Sequence, residues 1–172
     1  MRPAMSRRIF IGAVLATPAA AAFAQPRETW KTYVNDRFGT TIEYPSRFRP
    51  GRPPDNNDGQ GFAAADGAVL AVWGSLNIEE RDVAGLEAWL KESHEADEQI
   101  TYRASGKNWL VQSGARGSQL FYRRYLLSHR NEIQNAFRVS YPTELKAAYD
   151  PIVARISRSL RAGRSYQVPG KP

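Results

Sequence analysis

The sequence predicts an α+β domain in which an antiparallel sheet, built from an N-terminal hairpin, an Asp-Gly hairpin and a C-terminal meander, is flanked by two main helices. Three observations carry this. Residues 100–141 alternate apolar and polar side chains and are broken only by Gly, Lys, Asn and His-Arg turns, the pattern of consecutive strands. Asp66-Gly67 stands between two apolar arms, a strong hairpin signal. Residues 82–98 and 142–162 carry apolar side chains at helical spacing instead.

The elements follow in order. Tyr33-Val34 begins a short strand, Asn35-Asp36 and Gly39 supply a turn, and Ile42 to Tyr44 forms a second strand that Pro45 ends for want of an N–H. Residues 46–60 gather prolines, glycines, Asp and Asn and read as a loop. Past Asp66-Gly67, expected as a two-residue tip, residues 69–73 are apolar on both faces, so this strand is expected to lie centrally under cover from each side. One cover is the helix of 82–98, with Asp82 as its cap and Val83, Leu86, Trp89 and Leu90 as its apolar stripe.

In the meander, turns are expected at Gly106-Lys107, at 114–117 and at 128–131. With His129 and Arg130 at the last tip, Leu126 would face Ile133, Tyr122 would face Phe137 and Leu120 would face Val139, giving one apolar face. A final helix over 142–162 is expected to end near Gly163 and to kink or split at Pro151.

Composition bounds the function. The 172 residues suffice for one core and contain no cysteine, so packing alone must stabilise it. Ser6-Arg7-Arg8-Ile9-Phe10 precedes an Ala-rich apolar run over 9–22 and the small-residue pattern Ala22-Phe23-Ala24, which resembles a twin-arginine export signal. The apolar run is shorter than the roughly 20 residues needed to span a bilayer and contains Pro18. The expected organisation is a signal peptide over 1–24, one domain over 25–163 and a disordered tail over 164–172. The destination is the periplasm or the exterior, with no stable membrane insertion after cleavage. Removing the three leader arginines leaves 21 basic residues against 17 acidic ones, dispersed along the chain, and nucleic acid is not expected as a partner.

The order of elements, together with Phe38-Gly39, Ile42, Tyr44-Pro45, the polar loop and the Asp66-Gly67 hairpin, resembles the PsbP-like fold. That fold is shared by the extrinsic subunit of photosystem II, a Ran-binding nuclear import factor and many exported bacterial proteins. The resemblance implies an accessory or binding role, docking to an envelope component or holding a small ligand, and it carries no site residues. The alternative is a metal-independent periplasmic hydrolase or lyase using Arg, Tyr and a carboxylate.

No cofactor motif is present. Asp55 and Asp58 flank Asn56-Asn57 and offer oxygen ligands beside Gly59, but the spacing does not fit a calcium loop, and a solvated turn is the plainer account. His94 and His129 lack partners at metal-ligand spacing. Arg124 is the position singled out, because the expected register places it on the apolar face opposite Asn135, where a cation needs a partner. It either bonds carbonyls or a helix carboxylate such as Glu144, or it contacts a small anionic ligand or envelope partner with Tyr122, Asn135 and Tyr125 nearby.

Overall fold

The computed structural model describes residues 28–93, 97–164 and 166. The expected leader, His94 and most of the expected tail lie outside them. Strands β1 (Trp30–Val34) and β2 (Thr41–Pro45) pair as an antiparallel hairpin of their own. Strands β3 (Arg49–Pro50), β4 (Gly59–Ala63), β5 (Val69–Leu76), β6 (Gln99–Ser105), β7 (Trp109–Arg116), β8 (Gln119–Ser128) and β9 (Ile133–Pro142) form a seven-stranded sheet in the order β3-β4-β5-β9-β8-β7-β6. All its neighbours are antiparallel. Helix α1 (Val83–Ser93) lies on one face, and helix α2 (Lys146–Ser159) lies with the β1–β2 hairpin on the other. This is the α+β class that the sequence predicts.

The α2 face holds the larger core. Ile42, Phe48, Leu70, Val72, Phe137, Val139, Tyr149 and Ile156 are almost wholly buried there, each large side chain contributing about 1.5–3 kcal/mol of transfer free energy. Tyr149 stacks on Tyr141 at 4.6 Å and donates to Asp66 Oδ2 at 2.8 Å, tying α2 to the β4–β5 hairpin. On the α1 face Leu86, Leu90, Leu110, Tyr125, Leu127 and Ala136 form a smaller cluster. Asp82 caps α1 as expected, its Oδ1 accepting from the Gly85 N–H at 2.8 Å. Trp89 is 40% exposed, covered by the Arg81 guanidinium at 5.2 Å rather than by the core.

Several local expectations are corrected. The segment 46–60 contains β3, a two-residue edge strand against β4, and β4 itself starts at Gly59. The β4–β5 tip has three residues, because Ala64 and Ala68 still bond at 2.8 Å and Gly67 takes a left-handed φ of 87°. Val69 at the start of β5 is half exposed. Gly114 sits inside β7, where a Cβ would lie 1.9 Å from the Gln99 carbonyl, so it permits a close approach of β6 rather than a turn. Glu98 is not helical. A 3-10 turn (Thr143–Leu145) precedes α2, which runs through Pro151 and stops at Ser159. Arg161 then pairs with Thr41 through two bonds of 2.9 Å.

The β8–β9 register differs from the expected one by two residues. Ser128 faces Ile133, Leu126 faces Asn135, Arg124 faces Phe137, Tyr122 faces Val139 and Leu120 faces Tyr141. The reason is a four-residue tip in which His129, Arg130 and Asn131 all take positive φ. A two-residue shift preserves which side chains share a face.

Candidate functional site

Beyond the parts of β7 and β8 that the helices touch, the β6–β8 end of the sheet has an open depression on each face. On the α2 face the even-numbered row of β8, Leu120, Tyr122, Arg124 and Leu126, points toward the helix. Arg124 Nη1 donates to the Ser157 carbonyl at 2.5 Å, and its guanidinium lies 5.6 Å from the Trp109 ring centroid. Ser157 belongs to the last turn of α2, whose carbonyls lack intrahelical donors, so Arg124 acts as a cation on a helix C-terminus. Its Nε is buried without a partner among the described residues. The carbonyl, and not Glu144, is therefore the group that answers the buried cation.

The other residues grouped with Arg124 divide. Tyr122 does stand beside it, sharing Ser157 through a 2.8 Å contact to Oγ and stacking on Phe137. Asn135 is fully buried and already engaged, accepting from Thr40 Oγ1 at 2.8 Å and donating to the Leu126 carbonyl and Ser128 Oγ. Tyr125 points to the opposite face, where its ring meets Trp73 edge-on and burial raises the phenol above its ordinary range.

Between α2 and β6–β8 lies a groove of about 460 Å3. Leu120, Tyr122 and Tyr141 line its floor, Val153 and Ser157 its helix side, and Tyr102, 55% exposed, its outer edge. Lys146 and Asp150, one helical turn apart, close the rim with Nζ 2.7 Å from Oδ2, a bond that raises the ammonium. Aromatic faces, hydroxyls and one balanced ion pair suit a partly apolar partner with polar ends.

On the α1 face, sequence reasoning missed a charged cluster. Arg123 and Arg138 are direct cross-strand partners. Arg138 Nη1 donates to Glu98 Oε1 at 2.6 Å, and Arg123 Nη1 lies 3.2 Å from Glu98 Oε2 at an angle too poor for a hydrogen bond. Arg123 Nε and Nη2 both donate to Gln112 Oε1. The signal was present: Phe121, Tyr125 and Leu127 make the odd row of β8 as apolar as the even one, so Arg123 needed a partner as much as Arg124 did. Beside the cluster opens a cleft of about 540 Å3, with Asp97 and Arg116 paired at 2.8 Å on its rim. That bond holds the Asp97 carboxyl below its ordinary value.

Asp55 faces Arg52 at 3.5 Å and Asp58 accepts from Asn56 at 2.7 Å. Among the described residues no three His, Cys, Asp or Glu side chains gather where they could hold a metal ion. His129 lies at the β8–β9 tip, its ring edge-on to Tyr166 at 4.8 Å. No described helix is long and apolar enough to cross a membrane.

No protein-family model and no curated protein matches the chain. Solved structures do. The chain is similar to cyanobacterial PsbP (CyanoP) from Synechocystis, with a TM-score of 0.58 and 11% identity over 84% of this chain and 98% of that one. It is also similar to the Ran-binding protein Mog1p of Saccharomyces cerevisiae, with a TM-score of 0.53 and 7% identity over 78% and 95% of the two chains. At such identities the likeness is one of fold, and the PsbP-like architecture expected from the order of elements is the one observed.

Proposed function

We propose that the domain over 25–163 is an exported, non-catalytic binding domain whose groove between α2 and β6–β8 docks a segment of an envelope protein. The observation that carries this reading is Tyr102, a large aromatic side chain left 55% exposed on the outer edge of a groove whose floor is already aromatic. Exposed aromatic surface of this kind is favoured at docking sites, where it gains contact area at small entropic cost. That Mog1p is a Ran-binding protein supports the view that this fold can serve partner binding. The Ser6-Arg7-Arg8-Ile9-Phe10 leader supports export to the periplasm or beyond.

Two experiments test the reading. Retrieval from an envelope extract with the tagged protein, run beside Tyr102→Ser, is expected to yield a stoichiometric protein with the wild type and to lose it with the variant. Equal capture by both would refute docking in the groove, and substrate turnover abolished by Tyr102→Ser would favour the hydrolase or lyase alternative. Export is tested by fractionation: replacing Arg7 and Arg8 by Lys is expected to leave the precursor uncleaved in the cytoplasm. Unchanged processing would point to the general secretory route.

A further inference from the structure

The α1 face of the sheet holds a surplus of positive charge. Two guanidinium groups leave adjacent strands at Arg123 and Arg138, and among the described residues a single carboxylate, that of Glu98, lies between them. Gln112 adds only a neutral acceptor. The side chains of Glu98 and Arg123 are 0% and 7% exposed, so one net positive charge sits at a depth where uncompensated charge is costly. Relief is open in one direction. The Arg138 side chain is 25% exposed and lines the 540 Å3 cleft. Among the described residues only its Nη1 is hydrogen-bonded, and Nε and Nη2 remain for a further acceptor. On the rim the Asp97 carboxylate is bonded to Arg116 at 2.8 Å.

We propose that this cleft binds the carboxylate of a small organic anion, with Arg138 as the principal contact. A guanidinium with two spare donors matches the fork of a carboxylate. One surplus charge matches one anionic group. The walls decide what carries it: the Phe121 ring lies 4.6 Å from the Arg138 guanidinium carbon, and Val69, 49% exposed, forms another side. Such a cavity is far larger than an inorganic ion and has apolar surface for an organic body. Ser118 and Ser140 in the lining offer hydroxyl donors to the same head group. This site is separate from the groove under α2 and does not depend on it.

The test is calorimetric titration of the purified protein with benzoate and hexanoate, with benzyl alcohol and inorganic phosphate as controls. Saturable binding of both carboxylates is expected, together with none of the alcohol. Arg138→Gln should weaken it roughly tenfold or more, the loss of a charge-assisted bond. Ser118→Asp, which adds a negative charge at an exposed position of the lining without touching Glu98, should weaken it comparably and keeps the test valid should Arg138→Gln fold poorly. Absence of saturable carboxylate binding overturns the proposal, as does affinity unchanged in Ser118→Asp. Phosphate binding as tight as benzoate would overturn the organic-anion assignment.

Discussion

Replacing Glu98 by Gln keeps the shape of the side chain and removes the one negative charge between Arg123 and Arg138. The amide oxygen can still accept from Arg138, so the effect reports charge more than a lost hydrogen bond. Removing one partner of a buried ion pair costs about 3–5 kcal/mol, because the other charge stays behind. Glu98 and Arg123 are buried fully enough for that range, whereas Arg138 is a quarter exposed and partly screened, so we place the loss near 3 kcal/mol. For a domain of this size that is a large share of the usual ~5–15 kcal/mol and corresponds to a fall in Tm of roughly 10 °C. Urea unfolding of wild type and Glu98→Gln measures it directly, with equal m-values as the sign that only stability changed. The reasoning also fixes the sign of a second substitution. Adding Arg138→Gln to Glu98→Gln removes one of the two guanidinium charges left without a counter-ion and should restore about half of the loss, a coupling that a double-mutant cycle isolates. A loss under about 1 kcal/mol in Glu98→Gln, or a double variant less stable than the single one, would refute the charge account.

Three further outcomes follow from the same geometry. Arg124→Met removes the cation from the C-terminus of α2 but also frees a buried unpartnered Nε, so it should cost only about 1 kcal/mol in chemical denaturation, and a cost above about 3 kcal/mol would mean that the residue does more than hold the helix. Burial first, and the bond to Asp66 second, raise the Tyr149 phenol above its ordinary 10.0; because the folded value is the higher one, the stabilisation is fully present below about pH 10 and is lost as pH rises through the folded value. Tyr149→Phe should therefore cost about 1 kcal/mol at neutral pH and flatten the alkaline limb of the stability profile, and an unchanged limb would contradict it. Gly114→Ala would drive a Cβ into the Gln99 carbonyl, so β6 must shift from β7, with an expected loss of about 2–3 kcal/mol and faster amide exchange along β6; wild-type exchange rates would rule the contact out.

The fold was legible where local chemistry and burial agree. Asp82 caps α1, Pro45 ends β2, and the alternation from Ile100 to Tyr141 yields four strands. The β8–β9 register went astray because its tip takes three left-handed non-glycine residues, which nothing in His129-Arg130-Asn131 demands; tertiary ties hold it, with Asn77 bonding the Asn131 carbonyl and the Glu132 carbonyl. Since that error is an even number of residues, Arg124 and Tyr122 still share a face, but Asn135 moves off Arg124 and into a closed network. Tyr125 could have been separated from them by parity alone. The Glu98 cluster was harder to see: its carboxylate comes from a turn after α1 and joins the two arginines across 25 and 40 residues, a contact that no periodicity encodes. What the sequence did contain was the apolar odd row around Arg123, which demanded an anion without saying whose.

The placement of both depressions follows from a mismatch of widths. Six inter-strand spacings of about 4.8 Å make the sheet about 29 Å across, whereas one helix with its side chains covers about 10–12 Å. On the α2 face the β1–β2 hairpin supplies the missing cover, and it does so over β4, β5 and β9, where Tyr33 and Tyr44 meet Phe62. That leaves β6, β7 and the outer part of β8 bare beyond α2, which meets β8 at Tyr122 and Arg124. On the α1 face, among the described residues, α1 alone lies over the sheet, and its 11 residues, about 16 Å long, pack against Leu110 of β7 and Tyr125 and Leu127 of β8. Apolar side chains can fill the covered part of such a sheet, but the uncovered part must either be polar or be covered by something else. On the α2 face it is polar at the rim and aromatic in the floor, the pattern of a surface that another chain completes. Around Arg123 and Arg138 it is charged and only partly neutralised, which a small anion completes more economically than a protein does. The two faces thus differ in what they lack, and a substitution confined to one, Tyr102→Ser or Ser118→Asp, should leave binding at the other intact.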